Sequence, residues 1–178
     1  MRILPATKLV MNSSIHQTNR SSPIRAIVAG GLLAGVMDLT AAIVTNRFRG
    51  IAPLRILQSI ASGLLGTQSY QGGWRTALLG TFLHFVITFT ATAVYFLASR
   101  RIGWLLRHPF LSGAIYGVAI YWFMNLVVLP LSAFPHRVAF RPALVVTGLV
   151  VHILCVGLPI ALIVRRYSRS VLNAESVR

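Results

Sequence analysis

Four stretches of this chain run for 20 residues or more with one charged side chain among them, and that pattern restricts what the chain can fold into more than any other feature. They cover Ala26–Thr45, Thr76–Ala98, Phe110–Pro130 and Ala143–Val164. A hydrocarbon layer about 30 Å thick is crossed by about 20 helical residues at a rise of ~1.5 Å each. Lipid offers no hydrogen bonds, so a spanning segment must satisfy its own N–H and C=O groups, as a helix does. The expectation is an all-α membrane protein: a four transmembrane helix bundle with one short interfacial amphipathic helix.

Composition agrees. Hydrophobic residues make up 56% of the chain and charged residues 11%, against roughly 25% charged in soluble domains. Seventeen Lys and Arg face two acids, Asp38 and Glu175, for a net charge of +15. In a soluble protein that excess would suggest nucleic acid. Here the cations sit in short clusters flanking the apolar runs and no nucleic-acid motif accompanies them, so anionic lipids are the expected partner. Arg100, Arg101, Arg107, Arg165 and Arg166 are the expected lipid headgroup contacts.

Residues 1–23 are polar and free of acid, and they lack the apolar core of a secretory signal, so a disordered cytoplasmic tail is expected there. Residues 24–166 form the transmembrane domain and 167–178 a basic cytoplasmic tail. Orientation follows from where Lys and Arg collect, because an excess stays on the cytoplasmic side. With the N-terminus inside, the inner side holds eleven and the outer side six, namely Arg47, Arg49, Arg55, Arg75, Arg137 and Arg141. Both termini are therefore expected in the cytoplasm.

The first outer loop carries its own helix. Wound at ~100° per residue, Leu54, Ile56, Leu57, Ile60, Ala61, Leu64 and Leu65 fall on one side and Arg55, Gln58, Ser59 and Ser62 on the other. Pro53 suits the first turn, and Gly66 with Gly72 and Gly73 would end the helix. A helix over 54–65 that lies on the outer surface or caps the bundle accounts for the pattern equally well.

Inside the spans, polar residues are few. Asp38 is the sole acid between the tails, and an unpaired carboxylate at that depth costs several kcal/mol by insertion scales, about 3. Gly31, Gly35, Asp38, Ala42 and Thr45 share one face, so the acid lies on a small-residue stripe that admits a neighbouring helix. On the second span Ala77, Thr81, His84, Thr88, Ala91 and Tyr95 line one side. Phe82, Phe85, Phe89 and Phe96 line the other, which is expected to face lipid. The third span has Gly113, Gly117 and Asn125, and the fourth has Gly148, His152, Cys155 and Pro159 near one face. Asp38, His84, Asn125 and His152 then fall in a common layer roughly 8 to 14 Å below the outer surface. The layer reads either as an outward-opening polar pocket with Asp38 and one histidine as an ion or proton-exchanging pair, or as interhelical hydrogen bonds worth about 1 kcal/mol each.

Cys155, the only cysteine, reads as a small buried hydrophobe. Two histidines on different helices, His84 and His152, invite a bis-histidine haem or a metal centre. No haem-attachment CxxCH, P-loop, GxSxG, HExxH or dinucleotide fingerprint occurs, so no catalytic residue, cofactor or metal is assigned.

The pattern of His84 with Phe85, Ala93 to Tyr95, Gly113, Gly117, Pro130, Leu131 and Pro135, with the Gly148 and His152 stretch ending in Arg165 and Arg166, resembles bacterial inner-membrane proteins of the YagU type. The likeness covers about half of the chain and leaves out the Asp38 region and the 54–65 helix. It implies a bacterial cytoplasmic (inner) membrane location and a small multi-span bundle, and it carries over no site residues. Three functions stay open. They are a non-catalytic membrane component with a polar layer, a small transporter or proton-coupled permeation protein using Asp38 with His84 or His152, and a haem or metal redox carrier. The small-residue stripes suit a homo-oligomer or another membrane protein as partner. Cysteine labelling at Ser21, Gln71, Arg101, Arg137 and Ser170 should place Gln71 and Arg137 on one side of the membrane and the other three on the opposite side. Gln71 and Arg101 on the same side would refute the four-span topology.

Overall fold

The computed structural model describes residues 23–136 and 140–175, with side chains described through Ser168. The expected N-terminal tail, Arg137 and the last residues of the basic C-terminal tail lie outside the described residues. Four helices are long and apolar enough to cross a membrane: α1 (Pro23–Arg47), α3 (Gly73–Arg101), α5 (Pro109–Leu131) and α6 (Pro142–Ser168). The last of these continues as helix to Glu175. Between the first two lie α2 (Pro53–Leu65) and a 3-10 turn, Gly66–Gln71. A single helical turn, α4 (Trp104–Arg107), leads into α5. No strand occurs among the described residues.

Prolines set the starts. Pro53, Pro109 and Pro142 each stand in the first turn of their helix, where the missing N–H is no loss and the fixed φ suits the helix. α1, α3 and α6 outrun their apolar stretches by a few residues, because helical hydrogen bonding continues past the first charge.

Successive long helices run antiparallel, and α1 meets α3, and α5 meets α6, through glycine. Cβ atoms built on Gly31 and Gly35 would collide with Phe89 and with Phe85 (2.7 Å), and one on Gly30 would lie 2.8 Å from Thr92. Phe85 and Phe89 thus fill hollows that α1 leaves for them, and Phe96 is buried in the core. This corrects the expectation that the aromatic side of α3 faces lipid: Phe82 does, at 64% exposure, and the other three do not. The buried arc of α3 is wider than its polar stripe because α1 covers the flank where the missing side chains of Gly31 and Gly35 leave room.

The second pair is closer still. A Cβ on Gly157 would overlap the Gly113 carbonyl, and one on Gly117 would come within 2.6 Å of the His152 carbonyl. The main chains of α5 and α6 therefore touch, as small-xxx-small contacts allow. The shared core gathers Ala26, Ala34, Ala91, Tyr95, Val156, Ile160, Ala161 and Val164.

Both helices of this pair widen into π turns, at Met124–Val128 in α5 and His152–Gly157 in α6. Each π turn ends one residue before a Leu-Pro step, in Val127-Val128-Leu129-Pro130 and Val156-Gly157-Leu158-Pro159. Proline offers no N–H and crowds the carbonyl four residues back, and an extra residue in the turn relieves that clash. Leu129 N–H accordingly bonds Met124 O, and Leu158 N–H bonds Ile153 O, five residues back in each case.

Gly157→Val should strain the α5–α6 contact and lower stability by about 1–3 kcal/mol. Val146→Ala, on an exposed position of α6, should stay within about 0.5 kcal/mol. Equilibrium unfolding of the purified variants in mixed micelles reads the difference.

Candidate functional site

Asp38 sits on the α1 face that docks against α3. Gly35, one turn before it, approaches so closely that its Cβ would lie 2.9 Å from Thr88 Oγ1. The next turn then meets His84. The His84 Nε2 atom stands 2.9 Å from the Gly35 carbonyl and 4.0 Å from Asp38 Oδ2. A carbonyl only accepts, so Nε2 carries a proton and donates it to Gly35 O. The neutral ring therefore has its lone pair on Nδ1, and a second proton must enter there. Asp38 and His84 can share charge at 4.0 Å, but a proton passes between them only through water or after the ring turns.

The pair is half sheltered: the side chains are 18% exposed for Asp38 and 10% for His84. Among the described residues no arginine forms an ion pair with Asp38, and His84 is its partner. Phe85 stacks edge-on to the His84 ring at 5.6 Å and helps hold it.

Asn125 and His152 belong to a different contact. Asn125 Nδ2 donates to Tyr121 O at 2.8 Å, and His152 Nδ1 donates to Gly148 O at 2.9 Å, each one turn back on its own helix. The Tyr121 ring lies 5.4 Å from the His152 ring and against Gly148. Both residues lie in the π turns, Asn125 within the first and His152 at the start of the second. The structure thus brings Asp38 to His84 and brings His152 to Tyr121, without direct bonds between the two groups. Antiparallel register links them by depth. Gly30 meets Ile163, and the Tyr116 hydroxyl donates to Ala91 O at 2.7 Å. Continuing those registers sets Asp38 level with Cys155, and His84 level with Phe123, two residues from Asn125.

Gly31, Gly35, Gly113, Gly117 and Gly148 all lie at helix contacts. Arg100, Arg101, Arg107 and Arg166 are exposed and Arg165 is half-buried, all at the end of the molecule away from α2. His84 and His152 occupy separate interfaces. Among the described residues no group of three or more His, Cys, Asp or Glu is placed to hold a metal ion.

Several polar contacts were not evident from spacing. Tyr95, 1% exposed, places its hydroxyl 2.8 Å from Ser112 Oγ, and both hydroxyls reach the Leu105 carbonyl. Gln58, 2% exposed, donates to Gly73 O at 3.1 Å. The repeated Val-x-Leu-Pro would have signalled the π turns; nothing in the spacing signals the Tyr121 ring as the neighbour of His152.

Four helices able to cross a bilayer, packed through glycine, define a multi-pass helical membrane protein. Comparison of the chain with protein-family models, with curated proteins and with solved structures finds no match.

A double-mutant cycle separates the two polar groups. Asp38→Asn and His84→Gln together should cost less than the two single changes summed, by about 0.5–3 kcal/mol. Asp38→Asn and His152→Gln should add to within about 0.5 kcal/mol. Unfolding in mixed micelles measures both.

Proposed function

We propose that the chain is a small, non-catalytic membrane component whose Asp38 and His84 form a titratable pair inside a polar layer completed by Asn125 and His152. One observation carries the reading: the lone carboxylate within the spans meets an imidazole of the neighbouring helix at 4.0 Å. Ionisable groups at such depth are costly and tend to mark proton or ion pathways. Imidazole is the side chain that changes charge between about pH 5 and 8. A membrane component so equipped holds or releases a proton in response to the water that reaches it.

The reading extends to location and partners. The eleven-to-six distribution of Lys and Arg supports both termini in the cytoplasm and α2 at the outer interface. The resemblance to YagU-type proteins supports a bacterial cytoplasmic membrane. Arg100, Arg101, Arg107, Arg165 and Arg166 then face the inner leaflet, where guanidinium groups meet lipid phosphates. Proton-coupled permeation is the second reading. The lone acid within the spans is the residue that such a carrier would need.

Infrared difference spectra of the protein in lipid, recorded between acid and alkaline buffer, should show a carboxylic-acid band that vanishes in Asp38→Asn and shifts in frequency in His84→Gln. A spectrum with no band lost in Asp38→Asn would refute the pair. Vesicles loaded with a pH dye decide the second reading: proton leak through the parent protein should fall to the protein-free level in Asp38→Leu.

A further inference from the structure

We propose that the end of the molecule away from α2 binds an anionic phospholipid beside α4, its phosphate among Arg101, Arg107 and Arg165 and its chains along the first turn of α5. The proposal rests on the placement of that end in a lipid headgroup layer, and adds which lipid it takes and what presents the site.

A single helical turn is not stable by itself, so the shape of α4 is imposed by its neighbours. The Tyr95 and Ser112 hydroxyls both reach the Leu105 carbonyl, at 3.2 and 2.9 Å, and both residues are 1% exposed. Leu105 and Leu106 pack on the core of α1, α3 and α6. Trp104 and Arg107 are left facing outward, with the Trp104 ring 5.7 Å from that of His108. The turn is therefore a fixed platform for these two side chains.

The cations around the platform have no partner within the chain. Among the described residues none of Arg100, Arg101, Arg107, Arg165 and Arg166 makes a hydrogen bond, ion pair or ring contact. At the opposite end, by contrast, Arg49 donates to Asn46 Oδ1 at 3.2 Å and Arg55 lies 4.6 Å over the Tyr70 ring. Of the two acids, Asp38 is engaged with His84 and Glu175 is the last residue of the helix that continues α6. Arg101 ends α3, Arg107 ends α4, and α4 touches α6. Continuing the register in which Gly113 meets Gly157 and Gly117 meets Ile153 sets α4 level with Arg165. Guanidinium groups from three elements thus gather at one depth, and only anions from outside the chain offset their repulsion. Phosphate suits them, because a guanidinium grips it through two parallel N–H···O bonds.

The same surface turns apolar within a few residues. Phe110 and Leu111, in the first turn of α5, are exposed, as is Ile102 just before α4. Arginine, then an interfacial tryptophan, then bare phenylalanine and leucine follow the order of a phospholipid's phosphate, glycerol and chains. A free phosphate would use only the first of these. A zwitterionic lipid brings an ammonium group beside its phosphate, which unpaired arginines disfavour.

The experiment uses the full chain with Trp74→Phe and Trp122→Phe, which leaves Trp104 as the one tryptophan. It is reconstituted in vesicles of mixed phosphatidylglycerol and phosphatidylcholine, one or the other brominated on its chains, and quenching of Trp104 fluorescence reads which lipid stands beside it. Phosphatidylglycerol should be preferred over its share of the mixture by about fivefold. Arg101→Gln, Arg107→Gln and Arg165→Gln together should abolish the preference, whereas Arg47→Gln, Arg49→Gln and Arg75→Gln should leave it intact. Salt at about 1 M, which shortens the screening length to about 3 Å, should weaken it without any substitution. Three outcomes overturn the site: equal quenching by the two lipids, a preference that survives both the first arginine set and salt, or its loss to excess soluble glycerophosphate, which has no chains. If the single-tryptophan protein fails to fold, native mass spectrometry of the unaltered chain, counting retained phosphatidylglycerol against phosphatidylcholine, gives the same comparison. Both leaflets of the vesicles hold the same lipids, so the result is independent of orientation. Reversed cysteine labelling with the preference intact moves the site to the other leaflet, and normal labelling with equal quenching removes the site alone.

Discussion

Close approach of main chains at glycine is the constraint on which the arrangement depends. In lipid the apolar sides of helices gain nothing by leaving one apolar medium for another, so association rests on packing and on a few hydrogen bonds. Gly113, Gly117 and Gly157 bring α5 and α6 into main-chain contact. Gly31 and Gly35 receive Phe89 and Phe85 of α3. That second contact sets the depth of α1 against α3, and with it the meeting of Asp38 and His84. A side chain at Gly35 would push α1 outward and separate the acid from the ring.

Proline adds a second constraint. Pro130 and Pro159 each remove a donor from a helix with no water to replace it, and the π turns before them redistribute the remaining bonds. The wider turn of α6 sits where α5 and α6 touch. The His152 carbonyl and the Ile153 backbone approach Gly117 there, so the turn in α6 also shapes the contact surface. Asn125 and His152 donate to carbonyls on their own helices in these same regions, which leaves His152 against the Tyr121 ring and Asp38 to His84 alone.

Much of this was legible residue by residue. Uninterrupted apolar runs identify α1, α3, α5 and α6 because lipid penalises every unpaired charge. Pro53 and Gly66 bound α2 for backbone reasons that need no partner. The glycine stripes were visible, since small residues recur at the helical period. The fate of Phe85 and Phe89 was not visible: a hydrophobic ring suits lipid and an interhelical hollow equally, and only the neighbour's glycines decide. Gln58 and Ser62 fall on the polar side of α2 by spacing, yet Gly80 gives them a buried seat and Gly73 gives Gln58 an acceptor.

What the sequence determined by itself is what each segment demands of its surroundings: helix where the chain must satisfy its own backbone in lipid, breaks where proline and glycine stand, and a partner somewhere for Asp38. What only the tertiary structure decided is which groups meet. Four polar residues expected at similar depth could have formed one cluster, and the registers of two antiparallel helix pairs instead bring Asp38 to His84 and His152 to Tyr121. The physical reason is that depth along a helix follows from residue number at ~1.5 Å per residue. Rotation and register between helices follow from which side chains are missing on the partner.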